Sequence, residues 1–153
     1  MNLRASDRAG PEGKSRSRVR FGRSASAALP PELHRAFEKK FGISIIETMG
    51  MTETAAPIFS NPLEKSARKY GSVGKPAGSV ARVVGLAGVP CKAGEIGELV
   101  VKGDNVMREY YRNLEETAKA FDGDGAWRTG DLGDVDEDGY YFFPAALTWG
   151  VAQ

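Results

Sequence analysis

The sequence predicts an α/β segment followed by a small β-rich unit, and three observations point to it. An amphipathic helix pattern between Pro31 and Phe41 runs straight into the β-branched cluster Ile43, Ile45 and Ile46. From Tyr70 onward glycines become frequent and helical periodicity stops. Near the end, Asp138-Gly139 stands between two strand-like runs, a strong hairpin signal.

Each element has its own local cause. Residues 1–20 are polar, basic and without periodicity, which predicts a disordered arm. Val19 and Phe21 lead into the small-residue loop Ser24-Ala25-Ser26-Ala27-Ala28. Pro30 and Pro31 open the helix, where a missing N–H is no loss. Leu33, Phe37 and Phe41 mark its buried stripe, and Gly42 suits its C-terminal cap. His34 lies about 100° around from that stripe and is expected to face solvent. The isoleucine strand then delivers Glu47 to Thr54 as a polar loop at its carboxyl end, the place where α/β sheets hold ligands. Residues 21–69 thus form the α/β segment and residues 70–143 the β-rich unit. In the latter, Ser79 to Val84 and Gly97 to Lys102 read as strands joined through Gly85, Gly88, Pro90 and Gly94. Asn113 to Phe121 reads as a short helix, with Asn113 and Glu116 at capping-box spacing. Residues 144–153 diverge from what precedes them.

Bulk properties exclude several classes of function. The chain has 153 residues, 41% of them hydrophobic, enough for one ordinary domain with a core. A net charge of +1 offers no electrostatic reason for a nucleic-acid or anionic-membrane partner. The basic arm, with Arg4, Arg8, Lys14, Arg16, Arg18 and Arg20, lacks the aromatic interleaving of a nucleic-acid binder. No apolar run is long enough to span a bilayer, and no secretory signal is recognisable. The single cysteine, Cys91, suits a reducing compartment, so a cytoplasmic location is expected. Neither Cys91 nor His34 has a neighbour in sequence that would make it catalytic.

Two polar motifs carry the functional signal. The first is Glu47-Thr48-Met49-Gly50-Met51-Thr52-Glu53-Thr54 and the second Trp127-Arg128-Thr129-Gly130-Asp131-Leu132-Gly133. In the first, a glycine admits close backbone approach, Thr hydroxyls suit phosphate oxygens, and a lone carboxylate suits a hydrated magnesium ion. In the second, an Asp after a Gly turn can accept from both hydroxyls of a ribose. Taken singly, each also reads as an ordinary polar turn or loop. Two further stretches accompany them, the Ser24 to Leu29 loop and Gly94 to Gly103.

These four segments, in this order, resemble the adenylate-forming superfamily of AMP-producing acyl-CoA synthetases and ligases, from about Arg20 to Phe143. The resemblance implies a fragment of a layered α/β domain followed by a small, distorted-barrel β subdomain. It implies ATP/AMP, Mg2+ and coenzyme A as cofactors and a small-molecule carboxylate as substrate. It implies that Thr52 contacts the α-phosphate, that Glu53 holds magnesium and that Asp131 holds the ribose. Ala25, Ser26, Ala27 and Ala28 would lie against the adenine, with Glu47, Thr48, Met49, Gly50 and Met51 completing the nucleotide site. Trp127 is expected to pack rather than touch ligand.

The sequence also departs from the family pattern. Met49 replaces an aromatic residue that stacks on adenine, though a thioether still packs on a ring. Ala25 and Ala28 stand where Gly and Pro are common, Glu109 at a frequent Gly and Leu114 at a frequent Pro. A Ser/Thr/Gly-rich loop ending in Lys is missing. Pro144-Ala145-Ala146 follows Phe143 in place of a Gly-Arg-x-Asp hinge and the C-terminal domain with its catalytic Lys. The chain is therefore expected to be an internal piece of a longer enzyme, inactive without the missing parts. Two other readings stand beside this one. A non-catalytic interaction fragment with a degraded nucleotide site would expose hydrophobic faces to partners, and saturable adenylate binding would separate it from the enzyme reading. A calcium loop at Asp134 to Gly139 would need a Glu where Ala145 stands.

Overall fold

A computed structural model of the chain describes residues 19–55 and 57–143. Both the basic arm, apart from its last two residues, and the divergent tail lie outside the described residues. Among the described residues, eight strands form two four-stranded sheets. Strand β1 (Gly22–Ser24) leads into helix α1 (Pro31–Phe41), and β2 (Ile45–Gly50) returns parallel to β1, pairing Gly22 with Ile45 and Ser24 with Glu47. Strand β3 (Pro57–Ser60) adds antiparallel to β2, and β4 (Lys75–Pro76) to β3. The second sheet is antiparallel throughout, in the order β5 (Val80–Val84), β6 (Gly97–Lys102), β7 (Trp127–Val135) and β8 (Tyr141–Phe142). Helix α2 (Leu114–Ala120) sits between β6 and β7, its first turn capped by Asn113, whose side chain accepts from the Glu116 N–H. This is a partial α/β domain followed by a curled β unit.

The caps act where the sequence places them. Gly42 adopts φ 64° and donates its N–H to the Glu38 carbonyl, ending α1 in the left-handed conformation that glycine tolerates. Asp136-Glu137-Asp138-Gly139 closes the β7–β8 hairpin, with Asp136 N–H donating to Tyr140 O and Gly139 N–H to Asp136 O. Asp136 and Asp138 both bind Lys69 of the segment that precedes β4.

One core joins the two sheets. Ile58 and Phe59 of β3 pack with Val83, Leu99, Val101 and Tyr141 of the second sheet, all 6% exposed or less. The seam is hydrogen-bonded as well: Val73 N–H donates to Tyr141 O, and Tyr141 N–H to Gly74 O. Gly74 is required there, at φ 96°, because a Cβ would lie 2.1 Å from the Ser60 backbone. No helix among the described residues is long and apolar enough to cross a membrane.

The helix departs from expectation on its buried face. Leu33, Phe37 and Phe41 are only half-buried, whereas His34 is 2% and Glu38 8% exposed. The solvated position expected for His34 is therefore incorrect. Residues 65–71 fold over that edge of α1, so a polar side is enclosed: Tyr70 meets the His34 ring edge-on at 4.5 Å, and Arg68 reaches Glu38.

Candidate nucleotide site

A cleft of about 270 Å³ opens where the two sheets meet. One wall is the end of β1 and its loop, Ser24 and Ser26 to Ala28; the next is β2 from Glu47 to Gly50, with Met51 just beyond it. The opposite side is Asp131 and Leu132 of β7, with Gly71, Val73 and Phe143 closing the seam end. The parallel pairing of β1 with β2 puts the small-residue loop beside the Glu47 segment, and the Thr48 hydroxyl donates to Ser24 O at 3.4 Å. Residues far apart in sequence thus converge on one concave surface of mixed apolar and polar character, as small-molecule sites require.

The site segments are more strand-like than expected. Glu47 to Gly50 belong to β2 because β3 pairs with Thr48, Met49 and Gly50, with a register shift at Met49/Gly50. Thr129-Gly130-Asp131 is no open loop but a bulge inside β7. Gly97 pairs with Gly133 and Glu98 with Leu132, yet Val100 pairs with Arg128, leaving Thr129, Gly130 and Asp131 opposite Leu99 alone. Gly130 takes φ 76° to permit this. The Thr129 hydroxyl locks the bulge, donating to Leu99 O at 3.0 Å and accepting the Asp131 N–H at 3.0 Å. The bulge brings the half-buried Asp131 to the cleft wall, where its carboxylate has no hydrogen bond among the described residues. Burial raises its carboxyl above the ordinary range.

Glu47 is buried beneath the cleft. Its Oε2 accepts from the Gly71 N–H at 3.2 Å and lies 3.2 Å from His34 Nδ1. Burial pushes the Glu47 carboxyl up, against the opposing pull of the Gly71 N–H and His34. Glu38, the other acidic neighbour of His34, goes the opposite way. Burial alone would raise it, but the Ile45 N–H, the Tyr70 hydroxyl, His34 and Lys65 together hold it below the usual carboxylate range.

Three expected site residues stand apart from the cleft wall: Ala25, Thr52 and Glu53. Thr52 to Thr54 form a 3-10 turn, closed by the Thr54 hydroxyl, which donates to Met51 O and accepts the Met51 N–H. Thr52 is exposed at the head of this turn. One oxygen of the half-buried Glu53, Oε1, accepts from the Tyr110 hydroxyl at 3.4 Å, and the other has no protein partner among the described residues. That donor set fits a magnesium ion, which takes one carboxylate and keeps water and phosphate oxygens as its remaining ligands. Among the described residues no three His, Cys, Asp or Glu side chains cluster as a self-sufficient metal cage. Trp127 is 3% exposed and packed in the core, as expected.

Sequence reasoning missed Gly71, Val73, Leu132 and Phe143 as cleft residues, and Ser24 as part of the wall. Only Ser24 and Leu132 had a signal, as members of the Ser24 to Leu29 loop and the Trp127 to Gly133 motif already singled out. Gly71, Val73 and Phe143 arrive through the seam, which no local pattern announces.

The AMP-binding enzyme family matches residues 1–111. The chain is 58% identical over 132 residues to a sulfoacetate–CoA ligase of Cupriavidus necator, covering 86% of this chain and 26% of that protein. It superposes on ATP-bound MatB from Rhodopseudomonas palustris with a TM-score of 0.76 and 40% identity, over 80% of this chain and 24% of that one. It also superposes on O-succinylbenzoate coenzyme A synthetase from Bacillus subtilis in complex with ATP and magnesium, with a TM-score of 0.71 and 31% identity, over 79% of this chain and 25% of that one. The chain thus spans about a quarter of the length of these relatives. With the family matched over most of its length and CoA ligases as relatives, this chain belongs to the AMP-binding enzyme family.

Proposed function

We propose that this chain is the base- and ribose-binding part of the adenylate site of an AMP-forming acyl-CoA ligase. The observation that carries the reading is the convergence of the Ser26–Ala28 loop, the Glu47–Met51 segment and the Asp131 bulge on one cleft. In the complete reaction a carboxylate oxygen attacks the α-phosphorus of ATP and pyrophosphate leaves. The CoA thiol then attacks the acyl carbon, giving a thioester and releasing AMP. The share of this chain is positional and electrostatic. Asp131 accepts from the ribose hydroxyls. Ala27 and Ala28 leave room for a flat base, with Met49 as a polarizable surface. Glu47 Oε1, which has no protein partner among the described residues, offers an acceptor at the cleft wall. Thr52 donates to the α-phosphate, and Glu53 holds magnesium, which would neutralise phosphate charge. The sulfoacetate relative supports a small anionic carboxylate as the acid. The residues that clamp the leaving pyrophosphate and the adenylation Lys are absent from these 153 residues, so turnover by the chain alone is expected to be negligible.

Isothermal titration of the purified chain with AMP tests the reading. Saturable binding that Asp131→Ala abolishes is expected. A cooperatively folded chain that binds no AMP would identify a non-catalytic fragment instead, and thioester formation by the chain alone would refute the expected inactivity.

A further inference from the structure

His34 is the buried histidine that the nucleotide reading leaves unused. Its Nε2 lies 3.2 Å from the Ile45 carbonyl oxygen, which can only accept, so Nε2 carries a hydrogen. Its Nδ1 lies 3.2 Å from Glu47 Oε2. With Nε2 already protonated, that second contact is a hydrogen bond only if one more proton sits between Nδ1 and Oε2. A proton held there would belong to the pair rather than to either residue. Glu47 is 5% exposed, and its Oε1 is without a protein partner among the described residues. The histidine is almost fully enclosed, at 2% exposure.

We propose that His34 is a positioning residue for the nucleotide cleft: through this shared proton it fixes the Glu47 carboxylate so that Oε1 faces the base of the ligand. The inference rests on the adenylate-site reading above. Every element around the ring bears on the proton. From α1, Glu38 Oε1 lies 3.4 Å from Nε2 and favours a positive ring. From β2, Glu47 does the same on the other side. From residues 65–71, Arg68 and Lys65 draw on Glu38, while the Tyr70 ring, with the Arg35 guanidinium 4.7 Å from its centroid, packs against the imidazole. Loss of the shared proton would set the Nδ1 lone pair against a carboxylate, and Glu47 would turn away from the position Gly71 and His34 now define. Burial of Glu47, which raises its carboxyl, favours keeping the proton in the pair.

The chain carries a single histidine, so one ring gives the whole imidazole spectrum. The test combines 15N spectra of that ring with adenosine affinity, in wild type, His34→Asn and Glu47→Gln. Adenosine is the probe because it has no group that titrates in this range. Asn supplies a non-titrating N–H close to the place of Nδ1. Wild-type affinity is expected to fall about tenfold or more as the pH rises across the range in which the chain stays folded, the loss of one charged hydrogen bond, while His34→Asn stays nearly flat. The ring nitrogens should report a protonated Nδ1 or a proton shared with Oε2, a signature that Glu47→Gln removes. A wild-type affinity independent of pH, or an Asn variant that tracks the wild-type profile, would overturn the inference alone. A free, unpaired Nδ1 across the whole range would overturn it even if His34→Asn failed to fold. Absence of adenosine binding at every pH would overturn it together with the reading beneath it.

Discussion

Asp131→Asn should move stability and affinity in opposite directions. The Asp131 carboxylate is half-buried at the cleft wall with no hydrogen bond among the described residues, and burial raises its pKa. The folded state therefore binds this proton more tightly than the unfolded one. Ionisation weighs against folding above the ordinary Asp value, and the penalty vanishes as the pH falls below it. An isosteric amide removes the charge without changing the bulge, whose Thr129 and Gly130 contacts use the Asp131 backbone only. For a side chain still partly solvated, the gain at neutral pH is about 1 kcal/mol, or roughly 3–4 °C in melting midpoint for a chain of this length. The same change removes a charged acceptor from the ribose and should weaken AMP binding by about 1.5–3 kcal/mol. Calorimetric melts of the free chain and titration with AMP measure the two terms separately. The difference in midpoint between variant and wild type should close as the pH drops toward about 4. A destabilised variant, or one that binds AMP as tightly as wild type, would refute the assignment of an uncompensated ligand-binding carboxylate.

Four other perturbations follow from the same geometry. Gly74→Ala meets both a φ of 96° and backbone atoms 2.1 Å from the new Cβ, so urea unfolding should show a loss of roughly 3 kcal/mol or more. Gly42→Ala, at φ 64° in open space, should lose only about 1 kcal/mol by the same measurement. Arg68→Met strips a partner from Glu38 where both side chains are about 5–6% exposed, for a loss of roughly 3 kcal/mol. Because the Glu38 carboxyl is held low, its contribution is present above its ordinary value near 4.3 and fades as the pH falls through the lowered one; an acid titration of wild type should show that fade. Thr129→Val leaves Leu99 O and the Asp131 N–H without the hydroxyl that joins them, lowering stability by about 1–2 kcal/mol in the same unfolding assay and weakening AMP binding.

What was legible in the sequence is what short-range chemistry decides. Pro30-Pro31 and Gly42 bracket α1 to the residue, the β-branched runs find β2, β5 and β6, and Asp138-Gly139 finds the last hairpin. The order of the motifs was enough to identify the family and the α/β class. What was not legible depends on pairing between distant strands. The bulge at Thr129 to Asp131 exists only relative to the register of β6, and Glu47 belongs to β2 only because β3 extends the sheet alongside it. His34 was misjudged for the same reason. A helical wheel sees the stripe of Leu33, Phe37 and Phe41, but not the segment of residues 65–71 that covers the neighbouring face and supplies polar partners there.

The seam between the sheets decides whether the cleft exists at its present width. Asp131 belongs to one sheet and the Ala27–Ala28 loop to the other, so their separation is set by what ties β8 to residues 72–74. Ser72, fully buried, is the hinge pin of that tie. Its hydroxyl donates to Tyr141 O at 2.8 Å and accepts the Gly74 N–H at 2.9 Å, while its carbonyl accepts from Asn61. Tyr141 is anchored further by its own hydroxyl, which donates to Ala81 O at 2.7 Å. Ser72→Ala removes one hydroxyl, keeps the backbone bonds of Val73 and Tyr141, and leaves the Gly74 N–H without its acceptor. The expected loss of stability is about 1–2 kcal/mol, too small to unfold a cooperative domain. Ligand binding should be affected more than that loss implies, because a displacement of a fraction of an ångström at the seam moves Asp131 relative to the base loop. AMP affinity measured well below the melting range should therefore weaken by about tenfold. An unchanged affinity in the folded variant would show that the two walls are positioned independently, and that the seam contributes to stability alone.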